Sequence, residues 1–157
     1  MAPVVADRIP ERIAHIVNLD GIVPENGKDF KDLIGDTWDF FKQKASENSD
    51  EWWCPPIPEW TFGVSGSKLA LMKSKLTSHP LRTFTTVVTL ENPQAKTIPS
   101  TFIRCSEGLS VDEIAALEKH NTNLGRNFRS LPTGHDAMIT MPDELTKILL
   151  ELAGENQ

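Results

Sequence analysis

The sequence predicts an α/β fold with a mostly parallel sheet of about three strands, flanking helices and an inserted helical segment. An apolar, β-branched run at residues 13–19 is typical of a buried strand, and shorter strand-like runs lie at 101–105 and 127–131. Helical patterns follow the last two runs. The order strand, helix, strand, helix implies parallel pairing through right-handed crossovers.

The composition is that of one ordinary globular domain. With 157 residues, of which 39% are hydrophobic and 24% charged, the chain can bury a core. Its net charge of -6 argues against a nucleic-acid partner, because phosphates attract basic surfaces. No segment approaches the ~18 apolar residues of a membrane span, and the N-terminus lacks a signal-peptide pattern. Cys54 and Cys105 are interpreted as reduced thiols. We therefore expect a cytoplasmic protein with no membrane partner, metal or cofactor.

The chain divides into three segments. Residues 1–28 and 96–157 carry the strand and helix patterns of the core, whereas residues 29–95 are predicted to form an inserted, mostly helical lid. In the lid, the helical pattern DFKDLIGDTWDFFKQKA precedes EWWCPPIPEW, whose prolines interrupt regular structure. The pattern SKLALMKSKL predicts a second lid helix.

The last third of the chain carries clear helix boundaries. Ser110 and Glu113 have the spacing of a capping box, in which each side chain satisfies a backbone donor at a helix start. A helix is predicted over residues 111–120. The terminal helix is predicted to start at Pro142 and to stop at Gly154, with one apolar stripe between them.

Glu107 and His135 both follow strands, at the edge of the sheet where open α/β proteins usually place their chemistry. A histidine acting as a general base needs an acid on its second ring nitrogen, and Glu107 could be that acid. Gly134 would let the loop bend so that the imidazole lies over the sheet. The alternative is an ordinary loop histidine beside a solvated glutamate, and spacing alone does not decide between them. Asp20 either borders this site or simply begins an Asp-Gly turn.

Four segments, in the right order, resemble the α/β-hydrolase superfamily. The segment that contains the histidine reads LPTGHDAMITMPDELTKILLELA, and the segment of the first strand reads IAHIVNLDGIVPENG. Between them lie SHPLRTFTTVVTLENP and IPSTFIRCSEG. These segments are similar to the esterase branch near the plant methylesterases and hydroxynitrile lyases, with their bacterial relatives. The resemblance implies a partial α/β-hydrolase fold and, in the complete enzyme, a small-molecule ester as substrate.

By this resemblance, His135 is the histidine of a serine-hydrolase triad. Glu107 is the position closest to the triad acid, although the family commonly has aspartate there and a gap of one residue would move the match to Gly108. Asp112, on the following helix, is the weaker substitute. The hydroxynitrile lyases of this branch carry lysine after the histidine. Since this chain has Asp136, the resemblance favours an esterase.

The resemblance places the nucleophile upstream of this chain. α/β-Hydrolases carry their serine on G-x-S-x-G, in the order serine, acid, histidine, and residues 1–12 resemble the helix that follows that motif. The nucleophile and the oxyanion loop are therefore predicted to be absent, and the isolated chain to be inactive. Strand 13–19 would then expose an open edge that pairs with a complementing N-terminal half or in a homodimer. The alternative is a non-catalytic remnant or interaction module.

Several other residues have two interpretations. The stretch GVSGS, residues 63–67, imitates the nucleophile motif, but Ser67 replaces its last glycine and is better interpreted as a helix cap. Cys105 could be a thiol nucleophile, although core packing is the simpler role. The tryptophans could line an apolar substrate pocket or hold the lid on the sheet; they are Trp52, Trp53 and Trp60.

Overall fold

A computed structural model describes residues 2–47, 52–56 and 62–154. The helices, in chain order, are α1 (Ala2–Arg8), α2 (Phe30–Ile34), α3 (Thr37–Ser46), α4 (Gly66–Lys73), α5 (Val111–Asn123), α6 (Ala137–Thr140) and α7 (Pro142–Gly154). The strands are β1 (Ile16–Leu19), β2 (Trp53–Cys54), β3 (His79–Pro80), β4 (Ser100–Cys105) and β5 (Asn127–Leu131). None of the helices within the described ranges is long and apolar enough to cross a membrane.

A parallel three-stranded sheet with the order β1-β4-β5 forms the centre of the fold. Helix α5 is the crossover between β4 and β5. The predicted α/β fold is therefore confirmed, and β5 has the predicted bounds. The predicted first strand is shorter, because β1 begins only at Ile16.

The core lies on one face of this sheet. In β4, exposure alternates along the strand, and Thr101, Ile103 and Cys105 are buried. They are joined by Leu131 at the end of β5 and by apolar side chains of α6 and α7. Because successive side chains of a strand point to opposite faces, this alternation leaves Phe102 and Arg104 on the other face.

The predicted capping box at the start of α5 is confirmed. The Glu113 backbone N–H donates to the Ser110 hydroxyl at 3.3 Å, and the Ser110 N–H donates to the Glu113 carboxylate at 2.8 Å. The cap predicted at Ser67 is wrong, because α4 begins at Gly66 and Ser67 lies inside it. Ser65 holds the cap position of α4 and makes no side-chain bond there.

Ser110 and Ser65 give a matched pair of variants. Ser110→Ala removes a cap that is formed, and we expect it to lower the free energy of unfolding by about 1 kcal/mol. Ser65→Ala removes a hydroxyl that caps nothing, and we expect a change of less than about 0.5 kcal/mol. Urea unfolding followed by circular dichroism measures both. Equal losses in the two variants would contradict the assignment of the cap.

The segment predicted as a lid contains α2, α3 and α4 and the two-residue antiparallel pair β2-β3. Its first helical pattern forms two helices rather than one, because Gly35 adopts φ 55° and ends α2. This left-handed conformation suits glycine and does not continue a right-handed helix. Aromatic rings gather around Phe84, which stacks on Phe30 and His79. Stacked rings of this kind help to hold the segment together, in addition to the two-residue pair β2-β3.

Candidate functional site

Asp20 and His135 meet at the carboxyl edge of the sheet. Asp20 follows β1 and His135 follows β5, so the two residues lie beyond the strands on either side of β4. His135 Nδ1 lies 2.8 Å from Asp20 Oδ2, although 115 positions separate them in sequence. This is the arrangement of an acid that orients the imidazole of a general base.

Two further contacts fix the Asp20 carboxylate, and a third fixes its backbone. Its Oδ1 accepts a hydrogen bond from the Cys105 backbone N–H at 3.0 Å and pairs with Arg104 Nη1 at 3.0 Å. The backbone N–H of Asp20 donates to the Ile103 carbonyl at 2.8 Å. Asp20 has φ 44°, which is uncommon outside glycine but is tolerated by aspartate. This turn aims the side chain inward, and only 8% of it is exposed.

The imidazole of His135 is oriented and still accessible. Asp20 accepts at Nδ1, so Nδ1 carries the proton and, in the neutral ring, Nε2 is left with a lone pair for a reacting group. The hydrogen bond to Asp20 raises the pKa of His135 above its ordinary value, whereas partial burial opposes this shift. The side chain is 44% exposed. These are the properties of a base that can reach a substrate.

The predicted pairing of Glu107 with His135 is not the pairing that the structure contains. Glu107 is exposed, and its Oε2 lies beside the backbone of Gly63 and Gly134. Asp20 occupies Nδ1 of the imidazole instead. Asp112, the predicted substitute, lies exposed in the first turn of α5. The sequence did indicate Asp20 as a candidate, because it is an acid directly after a predicted buried strand. However, the dipeptide Asp20-Gly21 is also typical of an ordinary turn.

The histidine loop also contacts the segment predicted as a lid. The Asp136 backbone N–H donates to the Phe62 carbonyl at 3.3 Å, and the rings of Phe62 and His135 lie 6.1 Å apart. Gly63 and Gly134 pack so closely that a Cβ placed on Gly134 would lie 2.6 Å from the Gly63 Cα. Only glycine fits this approach of two backbones. The glycine predicted to bend the histidine loop therefore also admits a neighbouring loop.

Cys105 contacts both Asp20 and His135, but its thiol is not suited to act as a nucleophile. Its Sγ donates to the His135 carbonyl at 3.6 Å, while its N–H holds Asp20. Burial, with the nearby Asp20 charge, raises the pKa of the Cys105 thiol to about 11. A thiol with such a pKa is a poor nucleophile.

The predicted tryptophans make no contact with Asp20 or His135 among the residues that the structure describes. Trp52 is largely exposed, and Trp53 pairs with Pro80 between β2 and β3. Trp60 lies outside the described residues. Among the residues that the structure does describe, no hydroxyl or thiol is hydrogen-bonded to Nε2 of His135, and this includes Ser65 and Ser67.

Two solved structures resemble the chain over nearly its whole length. An extracellular α/β-hydrolase from a Paenibacillus species is described as sharing structural and functional homology with tobacco salicylic acid binding protein 2. It aligns with a TM-score of 0.75 and 16% identity over 96% of this chain. The chain adopts part of the α/β-hydrolase fold. A variant of tomato methylketone synthase I bound to β-ketoheptanoate aligns with a TM-score of 0.67 and 16% identity over 99% of the chain. No family model and no curated protein matches the sequence.

The α/β-hydrolase fold is only partly present in this chain. The chain spans 66% of the length of the Paenibacillus protein and 67% of the length of the tomato protein. In this fold the acid precedes the histidine along the sequence. Asp20 and His135 follow that order and lie at the carboxyl edge of a parallel sheet, where open α/β folds bind their ligands.

Proposed function

We propose that this chain supplies the acid and the histidine of an esterase-like α/β-hydrolase, with Asp20 as the acid. The observation that carries the proposal is the 2.8 Å contact between Asp20 Oδ2 and His135 Nδ1. Its geometry suits a triad because Nε2 stays available while Nδ1 is fixed. The serine would come from the upstream part of the same gene or from a separate polypeptide.

Each group has a defined task in the proposed reaction. A serine hydroxyl attacks the ester carbonyl while His135 Nε2 takes its proton, and the alcohol leaves with that proton. Water then attacks the acyl-enzyme while His135 Nε2 takes its proton, and the proton passes to the serine oxygen as the carboxylic acid is released. Asp20 keeps the proton of the neutral ring on Nδ1 and stabilises the imidazolium that forms in each half-reaction. Arg104 and Cys105 hold the Asp20 carboxylate, and the Cys105 thiol also donates to the His135 carbonyl, so both are positioning residues.

Ester hydrolysis tests this proposal directly. With p-nitrophenyl acetate, we expect the isolated chain to hydrolyse the ester no faster than its His135→Ala variant. The reason is that, among the residues that the structure describes, no hydroxyl or thiol is hydrogen-bonded to Nε2. Co-expression with an in-frame upstream segment that encodes G-x-S-x-G is expected to give turnover that His135→Ala abolishes. Histidine-dependent turnover by the isolated chain would contradict the assignment of an external nucleophile.

A second role is favoured by the open edge of the sheet. Strand β1 pairs with β4 on one side and, within the described residues, with no strand on the other. An open edge of this kind can pair with another chain, so a non-catalytic module that forms a homodimer is the alternative. A stable homodimer of the chain, together with no histidine-dependent turnover in the co-expression experiment, would support this alternative over the esterase.

A further inference from the structure

A second cavity, which His135 does not line, lies on the α5 face of the sheet. It has a volume of about 490 Å³ and is bounded by the loop after β1, helix α2, strand β4 and helix α5. Its inner walls are mostly apolar, with Leu33, Phe102 and Leu117 among them. Cavities of roughly 300–1,000 Å³ with apolar walls and a few polar groups are typical of small-molecule sites.

Exposed apolar side chains extend the walls of this cavity to its rim. Ile22 is 49% exposed on one side and Leu124 is 53% exposed on the other. Each leaves hydrocarbon in contact with water that a bound ligand would cover, at a gain of roughly 25 cal/mol per Å². Phe102 and these two residues line the same cavity, and apolar side chains of this kind suit an alkyl chain or an aromatic ring.

The polar lining of the cavity carries an excess of positive charge. Arg126 lines it and, among the described residues, makes no side-chain hydrogen bond or ion pair. Burial lowers the pKa of Arg126, and the charge of Glu25 only partly opposes this shift. The carboxylate of Glu25 is already paired with Lys28 at 2.6 Å. A partly buried cation that makes no ion pair favours an anionic ligand.

Arg104 adds a second guanidinium to the same cavity. Its Nη1 is engaged by Asp20, but its Nε is buried and has no hydrogen-bond partner among the described residues. A third of the Arg104 side chain is exposed, so the guanidinium also contributes positive charge to the lining of the cavity. Two basic groups in one cavity contrast with the net charge of -6 of the whole chain.

We propose that this cavity binds a small amphipathic monocarboxylate, with its carboxylate on Arg126 and Arg104 and its apolar part along Phe102 and Leu117. The charge complementarity selects the anion, and the apolar walls and rim select a hydrocarbon tail. A dianion such as phosphate would use the basic groups but leave the apolar walls and rim uncovered. His135 does not line the cavity, although Arg104 connects the two sites through Asp20, and octanoate binding can be measured without any esterase activity.

Octanoate is a suitable probe, and 1-octanol is its uncharged match. We expect saturable octanoate binding to the folded chain by calorimetry, and weaker binding of 1-octanol. Arg126→Met should weaken octanoate binding at least tenfold, because a hydrogen bond to a charged group is worth about 1.5–3 kcal/mol. Arg129→Met is the matched control, since Arg129 lies exposed on β5 and does not line the cavity; we expect no change in affinity.

A second variant keeps the test decisive if Arg126→Met does not fold. Leu117→Trp fills the cavity from α5 while both arginines stay in place, and we expect it to abolish octanoate binding. Circular dichroism checks that each variant is folded. Absence of saturable binding up to about 10 mM octanoate, equal affinity for 1-octanol, or equal affinity in the Arg126 and Arg129 variants would overturn the proposal.

Discussion

Replacing Asp20 with asparagine is expected to lower the pKa of His135 and to reduce the free energy of unfolding by about 2 kcal/mol. Asparagine fits the left-handed backbone at this position, so the turn itself is kept. The substitution removes the negative charge of the carboxylate. That carboxylate accepts hydrogen bonds from His135 and the Cys105 N–H and forms an ion pair with Arg104. NMR titration of the imidazole measures the first effect, and urea unfolding measures the second.

The sign of the pH dependence follows from the direction of the histidine shift. Because Asp20 raises the pKa of His135 in the folded chain, their pairing stabilises the fold fully below the unfolded pKa of about 6.5. This stabilisation is lost as the pH rises through the higher folded pKa. The stability difference between the native chain and Asp20→Asn should therefore be larger at about pH 6 than at about pH 9. A difference that grows with pH would contradict the pairing.

Glu107→Gln is the matched control for Asp20→Asn. It also neutralises a carboxylate near the histidine loop, but Glu107 does not contact the imidazole. We expect the pKa of His135 to stay unchanged in this variant. In the complemented hydrolase, Asp20→Asn should lower kcat on the order of 10⁴-fold, as expected when a triad histidine loses its acid. A larger loss of kcat in Glu107→Gln than in Asp20→Asn would instead identify Glu107 as the acid, as the sequence predicted.

Gly134→Ala is expected to cost about 2–3 kcal/mol of stability. The added methyl group would lie 2.6 Å from the Gly63 Cα and 2.9 Å from the Phe62 carbonyl oxygen, and both are backbone atoms that cannot rotate away. The histidine loop and the Phe62 loop must therefore separate or shift. We expect the hydrogen bond from the Asp136 N–H to the Phe62 carbonyl to break, and faster hydrogen exchange at Asp136 measures this loss.

Gly154→Ala is the matched control for this substitution. A Cβ at Gly154, the last residue of α7, meets no atom within 4 Å. We expect a stability change within about 0.5 kcal/mol and no change in exchange at Asp136. If Gly134→Ala were equally silent, the two loops would not be packed as closely as the structure has them.

Local signals in the sequence determined the elements. The capping residues Ser110 and Glu113 set the start of α5, and Pro142 and Gly154 bound α7 as predicted. Strand β5 also has its predicted bounds. These features depend on neighbouring residues, so a single sequence reveals them. The break at Gly35 was missed because the apolar spacing continues across it, while the backbone there turns to φ 55°.

The sequence by itself determined an α/β fold and a histidine at the carboxyl edge of its sheet. The tertiary structure alone decided which acid is hydrogen-bonded to that histidine. Glu107 is closer to His135 in sequence than Asp20, which is 115 positions away. Asp20 prevails because parallel pairing brings the ends of β1 and β5 to either side of β4, where Cys105 and Arg104 fix its carboxylate. Strand order and side-chain direction depend on packing between distant segments, which local patterns do not encode.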